Sequence, residues 1–261
     1  MSTTLVTNDA FEASIPRPGV LLIRIVSKPM GAFTIQARRD LRTFLERAHV
    51  DHAARCVVLT GTGAAFSVGS NIREFEATPE WIEAARLAET GLNETIELGP
   101  VPVIAACNGY TLGGGAVMAL ACDIRIAGRS ASFGVPEAKL GAMPTATGTM
   151  RLPLLVGRGQ ALRLILTAQP LDAEEAYRIG IFDELVEDDK LLERALEMAR
   201  QIAAVSPKAV SASRRCVSTA LRLGYHAGLA LEAEITVPLG LSDDAIEGKA
   251  AFVEKRAPRF K

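Results

Sequence analysis

Four short runs along the chain are apolar at nearly every position and end in turn residues. They are GVLLIRIV (19–26), CVVLTG (56–61), VPVIAACNG (101–109) and DIRIAG (123–128). Their length and β-branched content predict strands. The segments between them change period. Leu41, Phe44, Leu45 and Ala48 follow the i, i+3, i+4, i+7 spacing of one helix face. Thr78-Pro79 predicts an N-cap followed by proline at the first helical position, opening a helix that runs to about Leu98. Strands alternating with helices imply an α/β body with mostly parallel strands.

Beyond residue 140 the pattern becomes helical. Asp172 with Glu175 has the spacing of a capping box, aspartate standing in the usual Ser/Thr place. Leu192, Ala195, Leu196, Ala199, Ile202 and Ala203 mark one face of an amphipathic helix. Ser206-Pro207 predicts the start of the next. Ser242 predicts the cap of a last helix reaching about Arg256, with Pro258 beyond it.

Composition narrows the class. The 261 residues are 49% apolar and 23% charged, with a formal net charge of −1, as in an ordinary globular protein. That balance argues against a nucleic-acid partner, which normally demands a basic excess. No apolar run reaches the roughly 18 residues of a membrane span, and MSTTLVTNDAFEA lacks the basic start and apolar stretch of a signal peptide. Cys56, Cys107, Cys122 and Cys216 are scattered and form no C-x-x-C pair. Free thiols in a reducing, cytoplasmic compartment are expected. His49, His52 and His226 make no metal spacing with them and read as surface or satisfied core residues. No metal and no separate cofactor is expected.

Candidate chemistry begins with NGYTLGGGAVMALACD (108–123), where three glycines precede an apolar helical run. Glycine is unfavourable in a helix. At a helix start, however, the first N–H groups have no internal partner and the peptide dipoles favour negative charge. A helix beginning near Gly114 or Gly115 would aim such a donor outward. GTGAAFSVGSNIREF (61–75) follows a strand and again sets small residues around a glycine. Two such strand ends suit an oxyanion hole, although glycines at such junctions also serve tight packing. A dinucleotide fingerprint fails because Phe66 stands where the third glycine belongs. A P-loop fails because neither motif has a following Lys-Ser/Thr. AFSVG around Ser67 echoes a nucleophile elbow, but Ala65 replaces its first glycine and no histidine is placed to serve it.

AFSVGSNIREF, NGYTLGGGAVMALACDIRIA, ASFGVPEAKLGAMPTATGTMRLPLLVG, LTAQPLDAEEAYRIGIFDELV and EGKAAFVEKR, in this order over nearly the whole chain, resemble the enoyl-CoA hydratase/isomerase (crotonase) superfamily. The resemblance implies an α/β crotonase-like spiral of ββα units with a C-terminal helical subdomain. The division is into a core with the acyl-CoA site (1–195) and a trimerisation region (196–261), giving homotrimers or hexamers. It implies that an acyl-CoA thioester, carrying its own coenzyme, binds with its carbonyl oxygen between the N–H groups of Ser70 and Gly114. Hydratases of this type carry two glutamates. Here one position is Glu137 and the other is Val117. A single glutamate suits a Δ3-Δ2-enoyl-CoA isomerase, which takes a proton from C2 and returns it to C4. Val117 then becomes an apolar wall that favours a raised carboxyl pKa. The alternatives are hydration with an atypical second acid/base, for which Glu74, Glu89 and Asp123 are candidates, and a non-catalytic acyl-CoA-binding relative. Decarboxylase and thioester-hydrolase variants use the same oxyanion hole. Asp123 reads best as a local hydrogen-bonder at the helix–strand turn. The resemblance also assigns Ile72, Arg73, Phe252 and Lys255 to substrate, the last two on the nucleotide end of CoA. Met30 and Phe33 stand where the family usually has a basic residue and asparagine.

Overall fold

The computed structural model describes residues 3–260. The chain opens with an antiparallel meander, β1 (Thr3–Thr7), β2 (Phe11–Arg17) and β3 (Val20–Ile25), and crosses through α1 (Ile35–Asp51). It then travels one path three times: a strand in a large sheet, a three-residue strand in a small sheet, and a helix. These turns are β4 (Cys56–Gly61), β5 (Ala65–Ser67) and α2 (Pro79–Leu98); β6 (Val103–Cys107), β7 (Tyr110–Leu112) and α3 (Gly114–Ala121); and β8 (Ile124–Gly128), β9 (Ser132–Gly134) and α4 (Gly148–Thr167). A 3₁₀ turn over Pro136–Leu140 precedes α4. β10 (Leu171–Asp172), α5 (Ala173–Arg178) and β11 (Glu184–Val186) follow. The chain then passes into α6 (Leu191–Ala203), α7 (Pro207–Leu223), α8 (Tyr225–Gly240) and α9 (Asp243–Val253). The large sheet has the order β1-β2-β3-β4-β6-β8-β11 and is parallel from β3 onward. The small sheet is β10-β9-β7-β5, with β10 antiparallel.

The parallel strands read as continuous apolar runs because both of their faces are covered. Val20, Leu22, Cys56, Val58, Ile104, Ala106 and Ile126 face α6, whose Ala195, Ala199 and Ala203 let it lie close to the sheet. Alternate residues, among them Leu21, Ile23, Val57, Leu59, Ala105 and Cys107, turn into the main core with Leu41 and Leu45 of α1 and Leu92 and Ile96 of α2.

The predicted caps form. Thr78, Asp172, Ser206 and Ser242 accept from the N–H groups of Trp81, Glu175, Ala209 and Ala245. Two details differ from expectation. Glu175 does not reach back to complete a capping box but pairs with Arg163 and Arg178. The last helix stops at Val253, short of Arg256, and Lys255 turns at φ 54°. The four cysteines are free, three of them buried. His52 ends α1 against Phe44 and His226 is exposed on α8, while the side chain of His49 lies outside the described residues.

Candidate active site

After β7 the chain turns through Gly113, whose φ of 54° and ψ of −133° are open to glycine and closed to residues with a Cβ. α3 starts at the next residue. Seven of its eight residues, Gly115–Ala121, are buried, so the helix lies wholly inside the protein. No side chain caps its first turn, and the first N–H to return to the turn is that of Val117, to the Gly113 carbonyl at 3.0 Å. The Gly114 N–H donates to no protein acceptor among the described residues. The positive end of the helix therefore has an unused donor.

The loop after β5 lies against this helix start. Ser67 Oγ donates to the Gly31 carbonyl at 2.7 Å and accepts from the Gly69 N–H at 3.1 Å. Phe33 N–H donates to Gly69 and its carbonyl accepts from Asn71, at 2.7 and 2.8 Å. These bonds clamp Ser70 from both sides but leave its own N–H without a protein acceptor among the described residues. A Cβ on Gly69 would stand 2.5 Å from the Gly114 nitrogen, and one on Gly115 would overlap the Ser67 carbonyl. Glycine is required at both places because two backbones touch.

Two carboxylates approach the glycine turn. Glu137 sits in the 3₁₀ turn after β9, its Oε1 3.6 Å from where a Gly113 side chain would begin. It is half-buried, and its Oε2 is enclosed without a hydrogen-bond partner among the described residues. Burial, with a smaller contribution from the charge of Glu89, pushes its carboxyl up to about 7. Val117 is 1% exposed and packs towards Gly148 of α4, an apolar wall as expected. The second carboxylate is Glu89 of α2, whose Oε1 occupies the place where a Gly114 side chain would begin. Arg38 of α1 lies 3.6 Å from Glu89 and donates to Ser70 Oγ at 3.0 Å.

The comparisons with known proteins agree with this frame. The enoyl-CoA hydratase/isomerase pattern matches residues 17–261. The chain belongs to the enoyl-CoA hydratase/isomerase family. The short-chain-enoyl-CoA hydratase of Clostridium acetobutylicum is 34% identical over 247 residues, covering 93% of this chain and 94% of its own. The 2,3-dehydroadipyl-CoA hydratase of Escherichia coli is 36% identical over 219 residues, covering 83% and 85%. An enoyl-CoA hydratase structure from Bacillus anthracis superposes with a TM-score of 0.91 at 34% identity, covering 96% and 98%. The three ββα turns are thus those of the crotonase fold, and the chain is an acyl-CoA enzyme of this family.

Within that family frame the remaining sequence candidates separate. Ser67 is 0% exposed with its hydroxyl committed to Gly31, which removes it as a serine nucleophile. Asp123 serves the turn between α3 and β8, accepting from the Val103 N–H and from Arg214, both at 2.7 Å. Glu74 is exposed on the turn after Ser70. Ile72 and Arg73 are exposed on that same turn, next to the site. Phe252 and Lys255 are exposed at the end of α9, and no hydrogen bond or ion pair among the described residues links them to the site. Phe33 is buried beneath the Arg38 guanidinium, 5.9 Å from ring centroid to Cζ, and Met30 is partly exposed at φ 52°.

Arg38 is the residue the sequence reading passed over. A signal existed. Arg38 precedes Leu41 by three positions and Leu45 by seven, so it lies on the core stripe of α1. Glu89 stands in the same relation to Leu92, Asn93 and Ile96 on α2. A charge on a buried stripe calls for a partner, and these two helices pack on each other.

Proposed function

We propose that this enzyme binds an acyl-CoA thioester with its carbonyl oxygen between the N–H groups of Ser70 and Gly114, and that Glu137 moves a proton between C2 and C4 as a Δ3-Δ2-enoyl-CoA isomerase. Negative charge that gathers on the oxygen during proton removal meets two donors free of other duties. Each such donor contributes about 2.7–4 kcal/mol in comparable sites. Burial weakens the acidity of Glu137 until both protonation states coexist near neutral pH. The same group can then accept a proton from C2 and return it to C4.

The observation that carries the reading is the Glu137 carboxylate, whose Oε1 lies beside Gly113 and whose buried Oε2 has no hydrogen-bond partner among the described residues. Ile72, Arg73, Phe252 and Lys255 take the CoA moiety in this scheme, and the free cysteines suit a cytoplasmic setting. The test is to incubate the purified chain with 3-enoyl-CoA and to follow the conjugated 2-enoyl thioester. Glu137→Gln should lower turnover about 10²–10⁴-fold while CoA-thioester binding persists. Full activity of that variant refutes the assignment, and tight binding without any turnover by the wild type would make the chain a non-catalytic relative. A second reading, water addition to 2-enoyl-CoA, is favoured by the position of Glu89.

A further inference from the structure

Helix α3 carries no carboxylate in its first turn, because Val117 stands there. Yet the site contains two. Consecutive glycines each lie against a carboxylate: Glu137 Oε1 is 3.6 Å from where a Gly113 side chain would begin, and Glu89 Oε1 occupies the place where a Gly114 side chain would begin. They reach the turn from different elements, one from the segment after β9 and one from α2. The charge of Glu89 acts on Glu137, so the two groups share one field.

The Arg38–Glu89 contact is not an optimised ion pair. Its 3.6 Å separation exceeds the roughly 2.7–2.9 Å of a charge-assisted hydrogen bond. Arg38 spends its shorter contacts on Ser70 Oγ at 3.0 Å and the Phe33 carbonyl at 3.4 Å. Glu89 is only 12% exposed, yet it accepts no hydrogen bond from the protein among the described residues. Carboxylates that pair with a guanidinium frequently close on it in a fork of two short hydrogen bonds. This one turns Oε2 to Arg38 and keeps Oε1 against Gly114. An alanine at Gly114 would also come within 3.0 Å of the Arg38 guanidinium and overlap Glu89, so the glycine leaves room for both side chains.

We propose that Glu89, steered by Arg38, is a second substrate-facing carboxylate of this site, and that it enables the enzyme to add water across a 2-enoyl thioester. The inference rests on the placement of the thioester between Ser70 and Gly114. In the step, the oxygen of water bonds to C3 and one of its protons passes to Glu89. The C2=C3 electron pair becomes the enolate held by the two N–H groups. Glu137, in its protonated form, then delivers a proton to C2. One water is added, and the proton gained by Glu89 restores Glu137 through solvent. The other charged groups around Glu89 are Arg38 from α1 and, acting on Arg38, Glu74 from the turn after Ser70.

The test compares wild type, Glu89→Gln and Glu89→Asp on 2-enoyl-CoA and 3-enoyl-CoA in parallel. Glu89→Gln should lower hydration about 10²–10⁴-fold. Its effect on isomerisation should be far smaller. The pH midpoint of the remaining isomerisation should move down, because a neighbouring negative charge has gone. Glu89→Asp keeps the charge for Arg38 but withdraws the oxygens, and should lower the ratio of hydration to isomerisation even if the Gln variant folds poorly. Hydration by Glu89→Gln within about threefold of wild type, or a wild type that does not hydrate, overturns the proposal. A wild type that hydrates in a Glu89-dependent way but does not isomerise refutes the isomerase reading and leaves Glu89 in its role.

Discussion

Glu137 gives up stability for its position, and the amount can be measured. Its carboxyl moves from an ordinary 4.5 to about 7 on folding, chiefly through burial. Between those two values the native state binds more protons than the unfolded chain, so stability falls as pH rises through the window. At about 1.36 kcal/mol per tenfold change in proton affinity the ceiling is about 3 kcal/mol above pH 7. Solvent access to this half-buried group lowers the working figure to about 1–3 kcal/mol. Glutamine has nearly the same shape and never ionises. Glu137→Gln should therefore match wild type in urea unfolding at pH 4.5 and exceed it by about 1–3 kcal/mol at pH 8. The variant should be catalytically impaired where it is most stable. A Glu137→Gln protein no more stable than wild type at pH 8 would show that burial does not raise this carboxyl, and the proton-shuttle reading would lose its basis.

Three further outcomes follow from the structure. Arg214 joins α7 to α2 and to the turn before β8 through Asp123 at 2.7 Å and the carbonyls of Gly99 and Ile96 at 2.5 and 3.2 Å. Arg214→Ala should destabilise by about 1.5–3 kcal/mol in denaturant titration, since it removes the donor shared by Asp123 and the Gly99 and Ile96 carbonyls, and Arg214→Lys should recover less than half. Arg73→Ala and Lys255→Ala should each raise KM for the CoA thioester about three- to tenfold, with an effect that shrinks at high salt; an unmoved KM removes that cation from the nucleotide contact. The C-terminal helices expose Leu223, Tyr225, Leu241, Phe252 and Val253, an apolar surface suited to self-association. Sedimentation should give a mass of three or six chains, and a monomer at micromolar concentration refutes that expectation.

Much of the frame is legible in the sequence because it depends on local regularities. β4 coincides with its apolar run, α2 spans the predicted 79–98, and the caps at Thr78, Ser206 and Ser242 accept the N–H groups that short-range geometry provides. Of the small sheet only β9 shows, inside the strand-like ASFGV (131–135). β5 and β7 have three residues each, too few to show a period, and the pairing of the sheet is set by distant groups. Asn108, for example, accepts from the Gly61 N–H and donates to the carbonyls of Gly63 and Ala65. The site divides in the same way. Glycines 113–115 stand out as a triplet before an apolar helical run, whereas Glu137 is picked out only by the family resemblance. Arg38 and Glu89 lie on separate helices, and only the packing of α1 on α2 turns two isolated charges into part of a site.

The burial of α3 has a consequence for how the enzyme can fail. A loop-borne donor can drift while the rest of a protein stays intact. The Gly114 amide heads a helix with no solvent face, enclosed by the core of the molecule. To swing that amide aside, the chain would have to open its own interior. The donor is therefore about as durable as the native state itself, and heat or denaturant should abolish turnover no earlier at this point than it dissolves the core.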